Sequence, residues 1–133
     1  MAASISRVSG SDVSEDPLDS YSATVIRVAE AVTQHVAALE VTGNGRGGRL
    51  RGGAGSAVLF TTDGYLLTNA HVVGAAQSGH AVFADGTSTA VDVVGADPLS
   101  DLAVVHGRAP TAAPAELGDA ESLRVGQLVI AVG

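Results

Sequence analysis

Gly55-Ser56-Ala57-Val58-Leu59-Phe60-Thr61-Thr62-Asp63-Gly64-Tyr65-Leu66-Leu67-Thr68-Asn69-Ala70-His71 is the stretch that decides the fold. Residues 55–61 read as a strand. Asp63-Gly64 is a strong hairpin signal, because glycine tolerates the positive φ that tight turns between paired strands need. Tyr65 to Thr68 returns as the partner strand. Asn69 to Val73 is too short for a full helix and reads as one helical turn, closed by Gly74. His71 therefore sits just past a strand, at the mouth of a turn.

The rest of the chain extends the same pattern. Asp16-Pro17 starts a helix over 17–31, with Asp16 as N-cap, Pro17 in the first turn, and Leu18, Tyr21, Val25, Val28 and Ala29 at helical spacing. Further strands are expected at 33–41, 80–84, 88–95, 102–106 and 127–132. Asp85-Gly86 marks a second hairpin, and Asp97-Pro98 and Gly118-Asp119 mark turns. Residues 42–53 hold so many glycines that they read as a long flexible loop, and residues 1–15 as a flexible polar tail. Short strands at this spacing predict an all-β fold, a barrel or a sandwich, with a short N-terminal helix.

Composition narrows the function. The 133 residues suffice for one domain with its own core. Apolar residues make up 46% against 16% charged, so the chain is of the globular class, and with aromatics at 3% the core must be aliphatic. The net charge of −7 argues against nucleic acid as a partner. Arg46, Arg49 and Arg51, set among glycines, read as a solvated loop rather than a phosphate site. With no cysteine, disulfides, thiolate metal sites and cysteine nucleophiles are excluded. His35, His80 and His106 lack ligand spacing, so neither a metal nor another cofactor is indicated. No apolar run approaches the roughly 20 residues that cross a bilayer. Residues 1–7 show no apolar leader core, which by itself points to the cytoplasm.

Thirty residues after His71 comes Asp101, opening the apolar run Leu102-Ala103-Val104-Val105. A histidine after one strand and an aspartate before another suggest a base and the group that orients it. Asp97 precedes a proline and reads as a turn residue. Asp92 lies within a strand pattern and points to solvent. Asp63 and Asp85 belong to hairpins. Asp101 is the preferred partner.

Thr68-Asn69-Ala70-His71-Val72-Val73, Asp97-Pro98-Leu99-Ser100-Asp101-Leu102-Ala103-Val104-Val105 and the run Leu117 to Gly133 resemble, in order and interval, the histidine and aspartate regions of trypsin-like serine proteases. The likeness is strongest to their HtrA (Deg) branch. It implies the first antiparallel β-barrel of a double-barrel protease domain over residues 16–133, truncated before the second barrel. It also implies polypeptide substrates, a cell-envelope or periplasmic setting, and compatibility with an oligomer. His71 would then be the general base and Asp101 its orienter. The family's nucleophile lies in a Gly-x-Ser-Gly-Gly motif, which this sequence lacks. Ser56, Ser78, Ser88, Ser100 and Ser122 all stand in other settings, so no nucleophile is assigned and this chain alone is expected to be inactive. The competing expectation is a non-catalytic barrel that binds a peptide or a partner and keeps the two motifs as relics. A small-ligand barrel has no residue in its favour.

Overall fold

The computed structural model describes residues 16–44, 50–109 and 112–133. The expected tail at 1–15 and, of the expected arginine loop, Arg46 and Arg49 lie outside the described residues.

Helix α1 (Pro17–Thr33) begins where Asp16 Oδ1 accepts a hydrogen bond from Leu18 N at 3.1 Å, with Pro17 in the first turn. It buries none of its residues, and Leu18 and Tyr21 stay exposed. The apolar stripe that predicts this helix is therefore not used against the barrel along its first turns. Six strands follow: β1 (Val36–Asn44), β2 (Leu50–Leu59), β3 (Tyr65–Thr68), β4 (Ser78–Phe83), β5 (Ser88–Asp97) and β6 (Leu102–Gly107), with the single turn α2 (Ala70–Val73) between β3 and β4. They pair antiparallel in the order β1-β2-β3-β6-β5-β4, and β4 returns to β1 to close the barrel.

Alternation fills the interior. Ala37, Leu39 and Val41 from β1, Ala57 and Leu59 from β2, Leu66 from β3, Ala81 and Phe83 from β4, Val91 from β5, and Ala103 and Val105 from β6 form one buried cluster. Every second residue points inward, as the strand period requires. Cross-strand partners match in size: Leu39 faces Gly55 and Val41 faces Gly53. Large beside small lets the two strands stay in register without a void. On β5 the ladder slips between Val93 and Gly95, which extrudes Val94 to the surface as a bulge.

Two expectations are corrected. The glycine-rich segment 42–53 is not one long loop, because β1 runs to Asn44 and β2 starts at Leu50. Ladder bonds to a partner strand outweigh the weak intrinsic preference of glycine for strands. No strand forms over 127–132. The six strands close on one another, so the sheet leaves no free edge to pair with. Residues 112–133 add no strand: Ala112 packs against the core, Ala115 N donates to Leu59 O at 2.7 Å, and one 3-10 turn forms at Ala120–Ser122. The expected hairpins do form. Gly64 has φ 97, and a Cβ there would press on Gly107 O at 3.0 Å, so both conformation and space demand glycine.

Three surface aspartates tie turns and strands together. Asp85 accepts from Thr87 Oγ1 at 2.6 Å and Thr87 N at 2.9 Å. Asp97 accepts from Ser100 Oγ at 2.9 Å and Leu99 N at 3.0 Å. Asp92 pairs with the Arg108 guanidinium through bonds of 2.7 and 2.9 Å. These donors hold each carboxyl below its ordinary value of 3.8. A folded pKa below the unfolded one adds stability above the ordinary aspartate range, and that stability is lost as pH falls through the lowered values. The urea midpoint is therefore expected to fall as pH drops from 5 to 3, and less steeply in Asp97→Asn. An identical slope in that variant contradicts the assignment. In the core, Leu39→Ala is expected to cost about 2–5 kcal/mol in urea unfolding, since Gly55 opposite it cannot fill the space; a loss near zero would show that the site collapses.

Candidate active site

The barrel's register brings the two candidate residues together. In the β3–β6 pair Thr68 lies opposite Ala103, so the chain leaving β3 and the chain entering β6 meet at one rim of the barrel. His71 stands just past the first and Asp101 just before the second.

Asp101 has φ 55, the only positive φ outside glycine among the described residues. That left-handed conformation is uncommon for a residue with a side chain, though aspartate is one of those that tolerate it. It costs on the order of 1–3 kcal/mol, and the surrounding bonds must hold it. They do so from both ends of the residue. The Asp101 carbonyl accepts from Ala70 N at 3.2 Å and from Asn69 Nδ2 at 3.1 Å. The carboxylate Oδ1 accepts from His71 N at 3.0 Å, and Oδ2 accepts from His71 Nδ1 at 2.8 Å.

Asp101 thus does two jobs. A helical turn leaves its first N–H groups without partners, and Asp101 caps two of them in α2 from thirty residues away. Asn69, the local N-cap, makes no such bond with its own side chain and turns instead to Asp101. The same carboxylate then grips the imidazole of the residue it caps.

The hydrogen bonds fix the tautomer. The backbone N–H of His71, then its ring, hold the Asp101 carboxyl below its ordinary value of 3.8, so it is ionised at neutral pH. An ionised carboxylate only accepts. His71 Nδ1 must therefore carry the proton and donate, and in the neutral ring Nε2 keeps its lone pair. Nε2 makes no hydrogen bond among the described residues, and the His71 side chain is 71% exposed. The arrangement offers a proton acceptor, aimed and open to an approaching group.

The other acids stay apart from His71. Asp97 caps its own turn, Asp92 is taken by Arg108, and Asp85 closes its hairpin. Ser100, next to Asp101 in sequence, gives its hydroxyl to Asp97, and Ser122 gives its own to Asp119 O at 2.7 Å. His35 Nδ1 bonds Ala113 O at 2.7 Å, and His106 Nε2 bonds Asp63 O at 2.9 Å while its ring lies 4.5 Å from that of Tyr65. Among the described residues no three acidic or histidine side chains converge to hold a metal ion.

Two contributors escape a reading of the sequence. Asn69 is visible there as part of the short turn and of the run that ends in His71-Val72-Val73, with no role of its own. The strained backbone of Asp101 has one faint signal, an aspartate placed straight after a Pro-containing turn, where left-handed residues are tolerated.

The sequence profile of the trypsin-like peptidase domain matches residues 55–133. A probable periplasmic serine endoprotease, DegP-like, of Halomonas elongata is 42% identical over 79 residues, covering 59% of this chain and 17% of its own. Its counterpart in Pseudomonas fulva is 36% identical over 91 residues, covering 67% of this chain and 19% of its own. The chain thus spans under a fifth of the length of these relatives. Among solved structures, the HtrA-type protease AlgW with a tripeptide superimposes with a TM-score of 0.66 at 31% identity, over 75% of this chain and 31% of that one. AlgW with a decapeptide gives 0.65 at 27% identity, over 77% and 38%. The profile takes in both His71 and Asp101, the superposition takes in three quarters of the chain, and the chain belongs to the trypsin-like peptidase domain family, in its HtrA-type branch.

Proposed function

We propose that this chain supplies the base and its orienter to a serine endopeptidase site: His71 Nε2 takes the proton of a serine hydroxyl, and Asp101 holds the ring in the tautomer that allows it. The observation that carries the reading is the double grip of the Asp101 carboxylate on His71 N and Nδ1. A ring fixed with Nδ1–H toward a carboxylate presents a bare nitrogen, and as a proton is taken up the ionised partner stabilises the imidazolium. Such an ordered pair also counts against the non-catalytic barrel, which has no need of it.

In this reading residues 16–133 form the first barrel of a two-barrel protease domain. The nucleophile is not among this chain's own serines, since none stands in a Gly-x-Ser-Gly-Gly setting and Ser100 and Ser122 are committed to neighbouring oxygens. Peptide-bound AlgW structures support polypeptides as substrates. The relatives are named periplasmic, which supports the cell envelope as the compartment and lends nothing to the cytoplasm.

Two measurements test the proposal. The purified chain is expected to show no covalent labelling by a fluorophosphonate; stoichiometric labelling at any serine would overturn the assignment of the nucleophile. When the chain is joined to a second barrel that carries the Gly-x-Ser-Gly-Gly motif, Asp101→Asn is expected to lower kcat on a peptide substrate by about 10⁴, the magnitude already established for the triad of this superfamily. A variant that keeps its rate would remove Asp101 from the mechanism.

A further inference from the structure

We propose that Gly53 and Gly55 are positioning residues for His71: together they form a strip without side chains on β2 that seats α2 and sets the distance from the imidazole to Asp101. The inference rests on the assignment of His71 as the base, and it adds the part of the sheet that holds the base in place.

A helix of four residues cannot stabilise itself, because nucleation is unfavourable and too few bonds follow it. Its place must come from outside. Asp101 holds one end. The other hold is Val72, which lies buried in the barrel's core cluster over β2. Read toward α2, the alternate positions of β2 shrink from the buried Leu59 and Ala57 to Gly55, which is exposed, and Gly53, which is half-buried. A Cβ on Gly55 would come within 2.6 Å of Val72 Cγ2 and 3.1 Å of its Cγ1. A Cβ on Gly53 would overlap the Val72 carbonyl oxygen. On β1, a Cβ on Gly43 would come within 2.9 Å of Ala76 Cα, just beyond the turn.

Conformation does not explain these glycines. Neither Gly53 nor Gly55 has a positive φ, so alanine can adopt either backbone. Space is what excludes it. The atoms in the way belong to Val72, which follows His71 directly. Relief therefore moves the residue bonded to the base, and a shift of about 1 Å is the scale at which misplacement costs about 10²-fold. The 2.8 Å bond between His71 Nδ1 and Asp101 Oδ2 has no slack for it.

The test reads position rather than turnover. In ¹⁵N-labelled 133-residue chain, long-range proton–nitrogen spectra report which nitrogen of His71 carries the proton. The parent is expected to show the Nδ1–H tautomer. Gly53→Ala and Gly55→Ala are expected to lose it at a temperature where circular dichroism shows the barrel intact, and Gly95→Ala, whose Cβ meets nothing within 4 Å, is expected to keep it. Adding Val72→Ala removes the methyl groups that obstruct residue 55, so it is expected to restore the tautomer in the Gly55→Ala background but not in Gly53→Ala, where the obstacle is backbone. Should Gly53→Ala not fold, the Gly55→Ala variant and its reversal decide. A folded Gly55→Ala that keeps the parent tautomer, or no restoration by Val72→Ala, overturns the proposal. A parent chain that shows the tautomer while its two-barrel form keeps activity without His71 would instead overturn the assignment of the base and leave the seat intact.

Discussion

One carboxylate holds the candidate site together. Asp101 accepts the backbone N–H of His71 and its ring N–H at once, while its own carbonyl takes Ala70 N and Asn69 Nδ2. The backbone at φ 55 is what lets one residue turn both its carbonyl and its side chain toward the same helical turn. A strained conformation persists only where its surroundings over-determine it, and four donors from three consecutive residues do so here. Capping and ring orientation are therefore one constraint. A change that frees the carboxylate releases the backbone N–H of His71 together with its imidazole, while Ala70 N stays on the Asp101 carbonyl.

The barrel supplies the other half of that constraint. Antiparallel pairing makes the end of β3 and the start of β6 neighbours at a common rim, although their residues lie some thirty positions apart. The interior tapers toward that rim. Ala57 and Leu59 fill β2 at its far end, while Gly55 and Gly53 leave room for Val72 at the near one. Packing at native density leaves few voids, so the space given up by two glycines is taken by the turn that carries His71. Core and site share an atom-level boundary, and Val72 is on both sides of it.

Much of this was legible beforehand, and the gaps have causes. The Asp63-Gly64 and Asp85-Gly86 turns, the helix start at Asp16-Pro17 and the short turn closed by Gly74 all follow from local chemistry, and all are present. A loop over 42–53 is the wrong reading because glycine content reports local preference, whereas Gly43, Gly52 and Gly53 sit in strands where backbone or side chains press close. The apparent strand at 127–132 failed for a non-local reason as well, since alternation along a chain says nothing of whether an edge is free. At the site, His71 and Asp101 could be singled out by type and spacing. Their contact is a property of the β3–β6 register, and the part played by Asn69 is a property of the strained turn. Neither leaves a trace in a single sequence.

The exposure of the pair shows what this rim contributes. With His71 71% and Asp101 46% accessible, water would strongly screen the charges of a protonated ring and its carboxylate. Two unit charges 4 Å apart interact by about 1 kcal/mol in water and by about 4 kcal/mol at the effective dielectric of a partly covered surface. An ion pair left in the open adds little energy of its own. The hydrogen-bond geometry does not share that weakness, because it is fixed by covalent neighbours, a strained backbone and the packing of Val72. What the barrel provides is thus a direction: Nδ1 locked to the carboxylate and Nε2 turned outward. In the proposed role, the strength of His71 as a base would depend on how dry the site becomes, since preorganised dipoles gain their full effect only where water is excluded. Orientation is built into this barrel; in the proposed two-barrel site, the electrostatic force behind it would have to come from what covers the rim.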